Sequence, residues 1–212
     1  MFIFPWQKLD ANERLAAPIL IRELGVLNAL RVGRRIRRRA QAGEPFAALG
    51  DPTCEDDRLS REQIGPAVLL YQEAREVVDD ARALALTEEV AVAAALIFLR
   101  AQLGELRRDE LASLTPEGRA QFAEERGARF FNATMRWDEV SGERVRFTVT
   151  SCRFPPLCAA AGVPELAPVF CEVDARYFGT VEPDIVLTRP TRIAAGDPEC
   201  AFTLSWRAPD QG

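Results

Sequence analysis

Apolar residues recur at three- and four-residue intervals over most of the first 130 positions, and at two-residue intervals in much of the remainder. The chain therefore reads as helices first and strands afterwards. Asp10 followed by Glu13 supplies an N-cap and a first-turn carboxylate, which predicts a helix from about residue 11. Leu15, Ile19, Leu20, Leu24, Leu27 and Leu30 give it one buried stripe, which runs into Gly33-Arg-Arg-Ile-Arg-Arg-Arg39. Residues 41–59 hold Gly43, Pro45, Gly50 and Pro52 and read as a loop. Ser60 with Gln63 predicts a helix over about 61–84, and Thr87 with Glu88 and Glu89 a second over about 88–107. Within the second, Val90-Ala-Val-Ala-Ala-Ala-Leu-Ile-Phe-Leu99 is apolar nearly all round, the pattern of a buried central helix. Thr115-Pro116-Glu117 opens a short helix reaching about 126.

The period then falls to two. Phe131, Ala133, Met135 and Trp137 alternate with Asn132, Thr134 and Arg136, and Val145, Phe147 and Val149 alternate with charged residues and threonines. These predict two half-buried strands joined through Ser141-Gly142. A second pair is expected over about 185–192 and 201–207, with Phe202, Leu204 and Trp206 on one face. Helical stretches near 156–161 and 164–178 fall between the pairs. The expected fold is α+β: N-terminal helices packed on a roughly four-stranded antiparallel sheet, with short helices between the two strand pairs. Residues 1–128 would form a helical platform and 129–212 a Cys-rich α+β portion, together one compact domain.

Composition narrows the function. A net charge of −5 gives no global positive field to gather phosphate, so nucleic acid is not an expected partner. The arginines of 34–39 suit a solvated helix end, favoured by the C-terminal dipole, better than a phosphate or membrane contact. The most apolar run is about half the length that a membrane span needs. No secretory leader is visible in Met1-Phe-Ile-Phe-Pro-Trp, and five cysteines point to reduced thiols, so a cytoplasmic location is expected. The chain has no histidine at all, which removes Ser-His-Asp and Cys-His catalysis and any imidazole ligand. Proton transfer must use Asp, Glu, Cys, Tyr, Lys or water.

Candidate chemistry concentrates in the last third. Cys171 and Asp174 are three apart in a helical stretch, so thiol and carboxylate could face one small molecule. Such a thiol could attack if a cation lowers its pKa, or if the carboxylate takes its proton on demand. The plain alternative is a buried thiol beside a solvated acid. Arg153, Arg176, Arg189 and Arg192 are candidate cations for the thiol or for a substrate carboxylate. Cys152 ends a strand, and strict alternation turns it away from Val145, Phe147 and Val149. Cys200 shares parity with Phe202, Leu204 and Trp206, which suits core packing. Cys54, among Glu55, Asp56 and Asp57, reads as an unreactive thiol. No Cys-x-x-Cys pair exists, so neither a metal nor another cofactor is expected.

The order of these pieces resembles a known family. Cys152-Arg-Phe at a strand end, Phe170-Cys171-Glu-Val-Asp174, and Gly196-Asp-Pro-Glu-Cys200-Ala-Phe202 resemble the L-2-amino-thiazoline-4-carboxylic acid hydrolases over about 130–206. The resemblance implies a cytosolic bacterial hydrolase that opens a cyclic amidine thioether towards N-carbamoyl-cysteine, with a small-molecule substrate and no cofactor. By position, Cys171 would be the nucleophile and Asp174 the acid/base. Cys152 and Cys200 would line the same pocket, Arg189 would hold the substrate carboxylate, and Arg153 would stand beside it. A homodimer is compatible with such a chain. The competing class is a small-ligand-binding module similar to 4-vinyl reductase-type domains, taking a hydrophobic or tetrapyrrole ligand. There the 90–99 helix and Phe130, Phe131, Trp137 and Trp206 would line a cavity.

Overall fold

The computed structural model of the protein describes residues 11–104 and 106–207, so the expected cap at Asp10 lies outside the described residues. Helix α1 spans Ala11–Gln41 and breaks its helical geometry at Gly25, with φ 74 and ψ 161. A side chain at that φ would be strained, so glycine is what permits the kink. The break resets the phase of the apolar stripe. Leu20, Leu24, Ala29 and Val32 are buried, whereas Leu27, placed in the stripe by simple counting, is 81% exposed.

Helices α2 (Glu55–Ala74) and α3 (Asp80–Leu103) both start earlier than their apparent caps suggested. Glu55, Asp56 and Asp57 fill the first turn of α2, and Asp57 accepts the Thr53 N–H at 2.9 Å. Asp79 caps α3 by accepting the Arg82 N–H at 2.9 Å. Ser60 and Thr87 are instead buried mid-helix residues, their hydroxyls donating to the carbonyls of Asp56 and Ala83 four residues back. Helix α3 is also less enclosed than its composition predicted. In its apolar run Ala91 and Leu99 are buried but Ile97 is 65% exposed, because α3 is covered by α1, α2 and α7 on only part of its circumference.

Helices α4 (Arg108–Ser113) and α5 (Pro116–Gly127) lead to the sheet, and Thr115 caps α5 by accepting the Gly118 N–H at 3.1 Å. Strands β1 (Ala133–Val140) and β2 (Arg144–Cys152) form the expected hairpin, with Ser141 Oγ accepting the Arg144 N–H at 3.0 Å in the turn. Next come helix α6 (Phe154–Ala160), a 3₁₀ turn (Pro164–Leu166), α7 (Ala167–Arg176) and a π-helical turn (Tyr177–Val181). Strand β3 (Ile185–Thr188) then leads through a 3₁₀ turn (Ile193–Ala195) to β4 (Cys200–Trp206). The expected third strand is cut short because Pro190 has no N–H for a ladder. The sheet order is β1-β2-β4-β3, antiparallel throughout. The fold is thus α+β, with helices over one face of a four-stranded antiparallel sheet.

Two apolar clusters hold these layers. One joins Leu20, Leu24 and Val32 of α1 and Ile64 and Val68 of α2 to Leu157, Val163 and Leu166 around α6. The other packs Leu99 of α3, Val173 of α7, Tyr177 and Phe178 on Ile185 and Leu204 of the sheet. The opposite sheet face is polar, with Arg136, Arg144, Arg146 and Thr150 exposed.

The basic run at the end of α1 is partly turned inward. Glu73 of α2 is only 2% exposed, and it pairs with Arg35 and with Arg39 Nη1, the latter at 2.9 Å. Arg39 also reaches Glu44 at 2.6 Å and Gln72 at 2.8 Å. A cavity of about 410 Å³ opens beside this network, lined by Arg35, Arg39, Glu73, Arg75 and Gly162 among others.

Candidate functional site

Of the residues singled out in the last third, Cys152, Cys171, Asp174, Arg189 and Cys200 come together where α7 meets the inner face of the sheet. Register places Cys152. Ala133 pairs with Cys152 and Met135 with Val149, so β2 carries one extra residue, Thr150, opposite β1. Directly paired residues point to the same face, and Ala133 and Met135 are two apart. Cys152 therefore faces the same way as Phe147 and Val149. The bulge reverses the direction that strict alternation gave. Cys200 pairs with Val149 from the other side, and Phe202 with Phe147, so both belong to this face.

Cys171 and Asp174 come from α7, and Arg189 is the first residue after β3. The arginine ties the helix to the strand. Its Nη1 donates to Asp174 Oδ2 at 2.5 Å, and its Nη2 donates to the Cys171 carbonyl at 2.9 Å. Its side chain is 7% exposed, and its Nε–H is buried without an acceptor among the described residues. The guanidinium lies over the Phe202 ring, 5.1 Å from the centroid. Phe202 stacks on Phe147 at 4.7 Å and 11°, and Phe147 meets Trp137 at 5.3 Å. An aromatic row thus runs across β1, β2 and β4 and ends under Arg189.

The thiols are close enough to perturb one another. Cys171 senses Arg189, Asp174, Cys152 and Cys200, and Cys152 senses Cys200 and Asp174. Burial pushes the Cys171 thiol up to about 12, against the opposing pull of Arg189. Burial also raises Cys152, while the Phe154 N–H and the Asn132 side chain favour its thiolate and pull it back. Both are neutral thiols at pH 7, so a nucleophile here needs a base at the moment of attack. The carboxyl beside them is Asp174. Burial raises its carboxyl to about 6 despite Arg189. The side chain keeps 29% of its surface exposed.

The remaining candidates have partners or places of their own. Cys200 is 7% exposed and its sulfur accepts the Ile193 N–H at 3.2 Å. Arg153 turns to Cys54, donating to its sulfur at 3.7 Å. Arg192 pairs with Glu172 of α7 at 3.2 Å. Arg176, in the last turn of α7, is exposed. Cys158 is fully buried in the first apolar cluster. Sequence reasoning missed Asn132 as a neighbour of Cys152, and no local signal marks it. It also treated Phe202 as core alone, although its parity with Cys200 already placed it on the site face. Among the described residues no three Cys, Asp or Glu side chains group so as to hold a metal ion. No described helix is long and apolar enough to cross a membrane. The 410 Å³ cavity shares no lining residue with the thiol cluster.

Comparison with known proteins agrees with the motifs. The family model for L-2-amino-thiazoline-4-carboxylic acid hydrolase matches residues 58–204, which include most of α2 and every member of the thiol–carboxylate cluster. The chain belongs to that hydrolase family. No curated protein and no solved structure gave a match.

Proposed function

We propose that the protein is a cysteine-dependent hydrolase of a small cyclic amidine carboxylate, of which 2-amino-thiazoline-4-carboxylate is the type suggested by the family. The observation that carries this reading is Arg189, which grips Asp174 and the Cys171 carbonyl and still has a buried, unpaired Nε–H. A substrate carboxylate is the natural partner for that donor. Cys171 is then the attacking thiol. Asp174 accepts its proton as the sulfur bonds to the amidine carbon. The ring carbon–sulfur bond breaks, and the departing ring sulfur takes the proton from Asp174. This leaves an isothiourea on Cys171. Water adds to that carbon, the Cys171 sulfur departs, and the two water hydrogens end on a urea nitrogen and on that sulfur. The released product is an N-carbamoyl amino thiol. Cys152 and Cys200 line the wall opposite α7, and Arg153, engaged with Cys54, has no part in the chemistry.

The test is Cys171→Ala with turnover of the thiazoline followed by thiol release and the fold checked by circular dichroism. Loss of turnover with an unchanged spectrum is expected, as is a substrate-mass adduct on Cys171 when the wild type is quenched early. Unimpaired turnover in the alanine variant would remove Cys171 from the role. One observation favours a second reading. The site thiols are neutral and largely buried beside an aromatic row, which also suits a non-enzymatic module that binds a small apolar ligand. In that case the wild type would itself fail to turn over the thiazoline.

A further inference from the structure

We infer that Phe202 is a positioning residue, whose ring holds the Arg189 guanidinium in the plane from which it reaches both Asp174 and Cys171. Its effect on turnover rests on the function proposed above; its effect on Asp174 does not.

The geometry leaves Arg189 few other supports. Its two terminal nitrogens are occupied by Asp174 and the Cys171 carbonyl, and its Nε has no acceptor among the described residues. What fixes its tilt is the ring beneath it, 5.1 Å away. A guanidinium is held over an aromatic face by the ring quadrupole, most strongly where water is excluded, and this side chain is 7% exposed. Phe202 cannot easily yield, because Phe147 stacks on it nearly parallel and Trp137 backs Phe147.

The connection from Arg189 to Phe202 is pinned to the same end. Thr191 Oγ1 accepts the Ala201 N–H at 3.0 Å, joining the residue two after Arg189 to the residue just before Phe202. Asp197 accepts the Arg192 N–H at 2.8 Å, and the Cys200 sulfur accepts that of Ile193. Gly196, at φ 97, makes the turn that lets Asp197 and Cys200 reach back. The stretch Gly196-Asp197-Pro-Glu-Cys200-Ala-Phe202 thus works as a brace that delivers a ring to an arginine. The titratable groups facing Asp174 are Arg189, Glu172 and the thiols of Cys171 and Cys152. Of these only Arg189 pulls the carboxyl down, so disturbing Arg189 should let its proton affinity rise.

The experiment follows the Asp174 carboxyl by carbon-13 NMR across pH in the whole protein. Phe202→Leu keeps an apolar side chain of comparable bulk but removes the ring face, and should raise the proton affinity of Asp174 about tenfold, one unit of titration midpoint. Phe202→Tyr keeps the face and should leave the midpoint in place. In an Arg189→Met background, Phe202→Leu should shift nothing further. The idea is overturned if Phe202→Leu leaves the Asp174 midpoint unmoved, or if it moves it equally with and without Arg189. A parallel assay on the thiazoline should show Phe202→Leu raising KM more than it lowers kcat, with that rise absent in the Arg189→Met background. A wild type that turns over no thiazoline would count against the proposed function while the NMR result still judged Phe202.

Discussion

The buried Glu73 should respond asymmetrically to the loss of its partners. Its side chain is 2% exposed, whereas Arg35 and Arg39 are 42% and 24% exposed. In Arg35→Ala/Arg39→Ala the carboxylate stays in the interior stripped of both ion-pair partners, and stranding a buried charge costs about 3–5 kcal/mol. Glu73→Gln removes the buried charge instead. The two arginines can then hydrate, Arg39 keeps Glu44 and Gln72, and the new amide oxygen can still accept one bond. That loss should be about 1–2 kcal/mol, the scale of a single hydrogen bond. Helix propensity cannot account for the difference, since alanine suits α1 at least as well as arginine does. Urea denaturation at pH 7 would measure both variants, and added salt should change the gap little because the carboxylate is shielded from solvent. A Glu73→Gln loss equal to or larger than that of the double alanine variant would refute the reasoning.

Other outcomes concern the site. If Asp174 receives the thiol proton it must be ionised, so activity should fall as pH drops through about 6 and recover above it. A profile flat from pH 5 to 8 would exclude Asp174 as the base. With iodoacetamide at pH 7, Cys54, read from its acidic neighbours as unreactive, should by its exposure still be modified first, Cys152 and Cys171 slowly, and fully buried Cys158 last. The rate at Cys171 should climb about tenfold per pH unit towards its raised pKa, as its thiolate fraction grows. Faster labelling of Cys171 than of Cys54 at neutral pH would show that its thiol is acidic and overturn the requirement for a base.

Much of this architecture can be read from spacing. Alternation at Met135, Trp137, Phe147 and Phe202 gives the sheet faces correctly, and the helical stretch around Cys171 and Asp174 is α7, though nothing local singles out Arg189 from the other candidate cations as their neighbour. Local signals fail where tertiary packing decides. Ser60 and Thr87 look like caps because a hydroxyl at a helix start and one bonded four residues back are identical in sequence. Leu27 looks buried because a kink at one glycine cannot be counted through. The uniform apolarity of Val90–Leu99 cannot say which neighbours are available to cover it. The inward Arg35 and Arg39 depend on a single acid more than thirty residues away.

The bulge at Thr150 makes the orientation of a site thiol a matter of arithmetic. Cys152 points inward only because the ladder takes up its extra residue before reaching it. Were that slack to migrate one step past the cysteine, the sulfur would swing to the polar face with every residue unchanged. Two contacts stand against such slippage: the Ser151 hydroxyl on Thr134 at 3.0 Å, and the Arg153 N–H on the Asn132 carbonyl at 2.9 Å. Removing Thr150 would leave the same pairs in sequence and the thiol still inward, while inserting a residue beside it would threaten to turn the thiol out. Among relatives of this chain, an insertion between Val149 and Cys152 therefore bears on which way the thiol faces, whereas a one-residue gap there does not.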